Sequence, residues 1–135
     1  MKASSICFPA AVLLVLVGMA WGMQMAISQD HSAMPAHAHL NLLGWVSLFL
    51  FGLFYHVHPQ LDRSASARTQ VYTWIVGTII LTIGVGMVHT GHEQGDPIAA
   101  VGSLIVVASM LHFGWIVLKQ RGKESTAPTM LTPAE

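Results

Sequence analysis

Two histidines, His37 and His39, stand inside a stretch of the 135-residue chain that is apolar enough to cross a membrane. Imidazoles inside a membrane helix are costly and need a partner. Imidazole nitrogen is also a ligand for haem iron, copper and zinc. Residues i and i+2 of a helix lie about 200° apart around its axis. The two histidines therefore cannot readily bind one metal from a regular helix, and the spacing predicts two different neighbours, such as two cofactors or a cofactor and a helix.

Two further histidines extend this candidate site. His89 ends the third apolar segment, at the depth predicted for His37 and His39, and His92 follows it by three residues, close enough to share a helix face. We therefore predict His37, His39 and His89 as metal or cofactor ligands, with His92 as the substitute for His89. Asn41 follows His37 by four residues and lies on the same helix face, so it could orient that imidazole. The alternative for Asn41 is a hydrogen bond to another helix.

The other four histidines have simpler interpretations. His31 falls in a short polar loop and is expected to be solvated. His56 and His58 stand beside Pro59 at the far end of the same apolar segment, which is typical of interfacial residues. For His112 we predict a hydrogen bond to a neighbouring helix, a common use of polar side chains in membrane bundles. Ligation remains the alternative for His112.

The composition defines the class of protein. Hydrophobic residues make up 53% of the chain and charged residues only 9%, whereas soluble domains carry about 25% charged residues. The sequence therefore predicts an integral membrane protein. The formal net charge of zero indicates no nucleic-acid partner, and one cysteine, Cys7, excludes an intrachain disulfide. The sequence contains no glycine-rich phosphate loop, no Cys-x-x-Cys and no His-Glu-x-x-His motif.

Four apolar segments organise the chain, at about residues 6–28, 36–57, 71–90 and 97–118. Each matches the roughly 20 residues that a membrane helix needs, and backbone groups in lipid must be bonded within the segment. The sequence predicts an all-α membrane protein with one four-helix domain, residues 1–120, and a short polar tail, 121–135. Proline marks two boundaries: Pro59 ends the second helix, and Pro97 follows Asp96, the expected N-cap of the fourth.

The basic residues predict the orientation of the helices. All six precede the first segment, join the second to the third, or follow the fourth: Lys2, Arg63, Arg68, Lys119, Arg121 and Lys123. Cytoplasmic loops are enriched in Lys and Arg, so both termini are predicted to be cytoplasmic, in a multi-pass protein of the cytoplasmic membrane. The candidate ligands then lie at the outer face. The alternative is that the first segment is a cleaved signal peptide, which would leave three helices.

Small residues on the first segment predict a helix contact. Gly18, Gly22 and Ala26 recur every four residues, a pattern that lets two membrane helices approach closely. The alternative is that glycine is simply common in membrane helices.

The second segment resembles the tenth transmembrane helix of subunit I of the haem–copper oxidase superfamily, which includes nitric oxide reductases. In that family an Ala-His-aromatic-His run opens the helix at the outer side, and His37 and His39 match its two histidines. Gly52, His56 and Pro59 also fall where the family often has these residue types. The stretch from residue 83 through residue 105 looks like the family's last two helices, so the likeness covers about three-quarters of this chain but only about a third of a complete subunit I.

The resemblance implies ligand roles for both histidines. His37 matches the ligand of the high-spin haem, and His39 matches the ligand of the low-spin haem. Ala38 departs from the pattern, because the family usually has an aromatic residue there. The family's copper-ligand motifs, His-Pro-Glu and His-His, are absent from the sequence, so one chain cannot build the oxygen-reducing centre. The helices of subunit I form three pseudo-equivalent groups of four, which implies that a homotrimer of this chain could mimic the ring.

These observations favour a membrane-integral b-type haem protein that transfers electrons or binds a diatomic gas near the outer face, with a redox partner on that side. Whether it is an enzyme stays open. One alternative is a copper- or zinc-handling membrane protein that uses the same histidines. Another is an accessory or sensor subunit in which the histidines are structural.

Overall fold

The computed structural model describes residues 1–125, with side chains as far as Gln120. Four long helices confirm the predicted all-α membrane fold, and none of the described residues is in a strand. We number them α1 (Ser4–Ser28), α2 (Met34–His56), α4 (Ala65–His89) and α5 (Gly95–Ser125); the short helix α3 (Pro59–Asp62) joins α2 to α4. All four long helices are apolar enough to span a membrane.

Two of the four helices extend well beyond the apolar segments that predicted them. Helix α4 begins at Ala65 rather than at residue 71, because the Ser64 hydroxyl caps it by accepting a hydrogen bond from the Ala67 amide at 3.1 Å. Helix α5 continues to Ser125, so the first five residues of the predicted tail are helical; residues 126–135 lie outside the described part. Asp96 lies in the first turn of α5, which begins one residue earlier, and is not its N-cap.

Helix α2 widens into a π-helix between Leu40 and Ser47, immediately after the His37-x-His39 pair. Two carbonyl groups of this stretch accept hydrogen bonds from side chains. The Ser47 hydroxyl donates to the Leu42 carbonyl at 2.9 Å, and the indole of Trp74 on α4 donates to the Leu43 carbonyl at 3.0 Å. These bonds satisfy backbone groups that a widened helix would otherwise leave exposed in lipid, and π-helical turns are frequent at functional sites.

Glycines set the closest helix contact, which joins α4 to α5. A methyl group added at Gly84 would overlap the backbone of Ala99, and one added at Gly102 would lie 2.6 Å from the Leu81 Cα atom. Such contacts let two backbones pack directly, as is usual in membrane bundles. Helix α2 lies between α1 and α4, so the histidine pair has a neighbour on each side.

A hydrophobic core cluster fills one half of the bundle. We call the end that carries Lys2, Arg63, Arg68 and Lys119 the basic end, and the end that carries His31, His37, His39, His89 and His92 the histidine end. The cluster lies in the half nearer the basic end and consists of Ala3, Cys7, Ala11, Leu48, Phe51, Tyr55, Ala67, Val71, Trp74 and Ile116. Further buried apolar residues lie nearer the histidine end: Met25, Ala36, Leu40 and Leu81.

A buried polar network joins three helices within this core. The Tyr55 hydroxyl of α2 donates to the Gln70 Oε1 atom of α4 at 2.9 Å. The Ser109 hydroxyl of α5 donates to the Gln70 carbonyl at 2.9 Å. Since each of these groups is buried, the bonds offset the cost of removing it from water and fix the relative positions of α2, α4 and α5.

Candidate cofactor site at the histidine end

His37 lies between α1 and the side chain of Asn41. A methyl group added at Gly22 of α1 would lie 3.0 Å from the His37 Cε1 atom, and one added at Gly18 would overlap the Asn41 amide. Asn41 Nδ2 lies 3.1 Å from His37 Nε2 and donates to the His37 carbonyl at 2.9 Å. Asn41 therefore contacts His37 on the same helix face, and its role in orienting a ligand stays a prediction. Gly18 and Gly22 of α1 face α2 and provide the room for this polar pair.

His39 and His89 are oriented by the backbone of their own helices. His39 Nδ1 lies 2.7 Å from the Pro35 carbonyl, and His89 Nδ1 lies 2.9 Å from the Val85 carbonyl. A carbonyl only accepts, so Nδ1 carries the proton, and Nε2 of the neutral ring keeps its lone pair for a ligand. His39 is partly buried and His89 is exposed. Both imidazoles thus have the tautomer that metal ligation through Nε2 requires.

The contact between α2 and α4 shows how these histidines are spaced in depth. A methyl group added at Gly86 would lie 3.5 Å from the Ala36 Cβ atom, so these two residues stand at one level. The helices are antiparallel, so His39 lies three residues inward of this level and His89 three residues outward. At 1.5 Å per residue, the two are about 9 Å apart along the bundle axis. They share an end of the bundle, but not one layer.

His92 lies beyond the end of α4 and shares no helix face with His89. Its backbone amide donates to the Met87 carbonyl at 2.9 Å, and the amide of Gly91 donates to the Val88 carbonyl at 3.1 Å. Gly91 has a φ of 84°. A glycine in this left-handed conformation, together with these two hydrogen bonds, is a common way for a helix to end. The His92 side chain is exposed in the loop, with Nδ1 3.2 Å from the Thr90 hydroxyl.

The loop between α1 and α2 carries a negative charge at the same end. The carboxylate of Asp30 accepts a hydrogen bond from the Ser32 amide at 2.9 Å, and this bond lowers the pKa of Asp30. Asp30 therefore remains ionised over the physiological pH range. His31 is exposed beside it, as predicted.

The remaining histidines lie in the half nearer the basic end. His112 Nε2 is 2.8 Å from the Ser66 hydroxyl of α4, which confirms the predicted bond between helices. His56 is exposed and meets the Phe8 ring edge-on at 6.2 Å. His58 Nδ1 lies 2.6 Å from the Phe54 carbonyl. Because His58 makes the same bond as His39 and His89, that bond orients a ring but does not by itself identify a ligand.

Sequence reasoning missed two polar groups on α4. The hydroxyl groups of Thr78 and Thr82 are buried and make no hydrogen bond within the described part of the chain. Both lie on the stripe that runs from Trp74 to Gly86 at four-residue intervals, and this stripe faces α2. Thr78 and Thr82 are four residues apart in the sequence, as two residues on one helix face are. Threonine in a membrane helix can bond its own backbone, so this spacing did not predict that their hydroxyl groups would lack a partner.

Among the described residues, no group of three or more histidine, cysteine, aspartate or glutamate side chains is placed to hold a metal ion. Comparisons with protein-family models, curated proteins and solved structures found no match.

Proposed function

We propose that the protein is a membrane-integral b-type haem protein in which His39 is an axial ligand. The observation that carries this proposal is the position of His39 at the histidine end, directly before the π-helical turn of α2. The bond between His39 Nδ1 and the Pro35 carbonyl at 2.7 Å adds to this position without identifying a ligand by itself. It holds the imidazole in one tautomer and one orientation, next to a π-helical turn, in a helix that resembles a haem-ligating helix of the haem–copper oxidases.

His39 is a better candidate than His37 for the primary ligand. The His37 ring packs against Gly22 and the Asn41 amide, so iron could reach it only if α1 moved. His39 points to a different side of α2 from His37, so α1 does not cover the His39 ring. A second haem centre at His37 remains part of the proposal as a secondary element.

The haem cannot lie between α2 and α4 of one copy at the level of Ala36 and Gly86. A methyl group added at Gly86 would already be in van der Waals contact with the Ala36 Cβ atom, at 3.5 Å, which leaves no gap for a porphyrin. The haem would therefore lie on the surface of the bundle, where a neighbouring copy could cover it. This favours a homo-oligomer, which we propose to be a trimer, with the exposed His89 supplying a second ligand within or between copies and His92 as its substitute.

The number of axial histidines would determine the activity. Iron with two histidines would favour electron transfer, and iron with one open position would favour binding of a diatomic gas. In either case the positive-inside rule places the haem near the outer face of the cytoplasmic membrane, where it would meet a redox partner or the gas. No copper centre is needed for either activity.

The absorption spectrum of the purified protein tests this proposal. The wild-type protein should have a Soret band, and His39→Ala should shift or abolish it while membrane insertion is unchanged. The matched control is His58→Ala, because His58 has the same bond to a backbone carbonyl but lies at the basic end; His56→Ala is a second control. A normal Soret band in the His39→Ala protein would contradict the haem assignment.

One observation favours a structural role for part of the histidine set. His37 fills the space above Gly22 and is bonded to Asn41, as expected of an accessory or sensor subunit whose histidines hold helices together. Metal analysis of haem-free protein separates this reading from a copper- or zinc-handling function, since only the latter predicts bound metal.

A further inference from the structure

A cavity opens at the basic end, away from the histidine end of the bundle. It has a volume of about 270 Å³ and lies between α3, the start of α4 and the end of α5. Its lining combines hydroxyl, amide, indole and ammonium groups, from Gln60, Ser64, Ser66, Trp115 and Lys119, with the apolar Leu61. A recess of mixed polarity at the end of membrane helices lies at the depth of the lipid headgroups.

The charge around this cavity is positive. Lys119 Nζ lies 4.8 Å from the centre of the Trp115 ring, a cation–π contact that holds the ammonium group at the cavity wall. Asp62 is the only described carboxylate at the basic end. It is buried and accepts two hydrogen bonds from Ser4. Among the described side chains, Lys119 has no carboxylate partner, and its ammonium group lines the cavity.

The start of α4 adds hydrogen-bonding groups to the same wall. The Ser66 hydroxyl lines the cavity and lies 2.8 Å from His112 Nε2. With the proton on Nε2, His112 donates to Ser66 and orients it, and the Ser66 hydroxyl keeps its own proton for a phosphate oxygen. The first turn of α4 also carries the positive end of the helix dipole, which favours anions. An ammonium group and an oriented hydroxyl at a helix N-terminus together suit a phosphate group.

An apolar stripe leads from the cavity along α5 toward the middle of the membrane. Leu111, Trp115 and Leu118 recur at helical spacing, and their side chains are 71%, 53% and 69% exposed. A lipid whose headgroup occupies the cavity could lay an acyl chain along this stripe. A free phosphate ion would use the cavity but not the stripe.

We propose that this cavity binds the phosphate group of an anionic phospholipid from the adjacent leaflet. Lys119 and Ser66 contact the phosphate, Trp115 packs at the boundary between headgroup and chain, and one acyl chain follows the stripe on α5. Basic pockets between membrane helices on the cytoplasmic side are a general form of lipid recognition. The site is far from the histidine end and does not depend on haem.

Lipid retention by the full-length protein tests the proposal. Native mass spectrometry of the detergent-solubilised protein, titrated with phosphatidylglycerol or phosphatidylcholine, should show preferential retention of phosphatidylglycerol. Lys119→Ala should weaken that retention about fivefold, the usual effect of one basic residue near an anionic lipid. Lys2→Ala is the matched control, because it removes the same charge outside the cavity. It should change retention less than twofold. Ser66→Ala should also weaken retention; because it removes the bond to His112 between α4 and α5, retention is compared at a temperature below the unfolding midpoints of all variants.

Three results would overturn the proposal. Equal retention of the two lipids would show that phosphate charge is not recognised. An equal loss in Lys2→Ala and Lys119→Ala would show a diffuse surface charge rather than a site. Displacement of the lipid by millimolar inorganic phosphate would identify a free-phosphate site, in which the stripe on α5 has no role.

Discussion

The carboxylate of Asp62 accepts two hydrogen bonds from Ser4, one from its backbone amide at 2.7 Å and one from its hydroxyl at 2.8 Å. Asp62 ends α3, and Ser4 begins α1, so one side chain joins two parts of the chain that are 58 residues apart. The backbone of Asp62 adds a third bond, from the Ala3 amide to its carbonyl at 2.8 Å. A carboxylate at a helix N-terminus also favours the positive end of the helix dipole.

This relationship predicts that Asp62→Ala destabilises the protein. The change leaves the buried amide and hydroxyl of Ser4 without an acceptor, which costs about 1–3 kcal/mol. The free energy of unfolding, measured by denaturation in mixed micelles, should fall by that amount. Asp30→Ala is the control, since Asp30 is an exposed loop carboxylate that also accepts an amide hydrogen bond. A loss of similar size in both variants would show that Asp62 has no special role.

Close packing of α4 against α5 predicts opposite effects for two alanine substitutions on one helix. Gly102→Ala places a methyl group 2.6 Å from the Leu81 Cα atom, and such overpacking costs about 1–3 kcal/mol. Gly114→Ala meets no atom within 4 Å and should be neutral or stabilising, because alanine is the better helix former. Unfolding midpoints of the two variants give the comparison. Equal unfolding midpoints for Gly102→Ala and Gly114→Ala would contradict close packing of α4 against α5 at Gly102.

The buried network predicts a measurable coupling between Tyr55 and Gln70. Tyr55→Phe removes the 2.9 Å bond to Gln70 Oε1, and Gln70→Leu removes it from the other side. A double-mutant cycle of unfolding free energies should give a coupling of about 0.6 kcal/mol, the average for hydrogen bonds between membrane helices. The cycle of Tyr72→Phe with Gln70→Leu should give none, since Tyr72 is exposed.

The fold was largely predictable because lipid imposes one rule on every segment. Apolar length alone located all four membrane helices. It did not locate the start of α4, where Ser64 caps a polar first turn, or the end of α5, which continues past Leu118 into polar residues. Hydropathy measures which residues enter lipid, whereas helix ends depend on caps and on the backbone groups that they bond.

The candidate site was less predictable, because it depends on contacts between residues distant in sequence. The four-residue spacing predicted that Asn41 shares a helix face with His37, and it left a bond to another helix as the alternative. The relative depth of His39 and His89 follows only once it is known that Ala36 of α2 lies level with Gly86 of α4. No local sequence pattern encodes this register between two helices. The bond from Trp74 to the Leu43 carbonyl, which accompanies the π-helical turn, likewise joins residues 31 positions apart.

The positions of the basic residues predict the membrane topology. A reporter fused after Glu135 should behave as cytoplasmic, because all six Lys and Arg residues then face the cytoplasm. Cysteine accessibility gives an independent measurement in a Cys7→Ser background: Glu93→Cys should react with an impermeant reagent from outside, and Thr69→Cys should not. A periplasmic signal at Glu135 would invert the arrangement and place the histidines inside.

The different environments of His37 and His39 predict that their replacement separates stability from cofactor binding. His37→Ala removes a ring that packs on Gly22 and contacts Asn41, so it should leave a void between α1 and α2 and lower the free energy of unfolding by about 1–3 kcal/mol. His39→Ala removes a ring bonded only to its own helix at Pro35, so it should change the Soret band with little effect on stability. Both quantities can be measured on the same purified samples. Loss of a separate spectral component in His37→Ala would reveal a second haem centre, and unchanged stability would show that His37 does not hold α1 against α2.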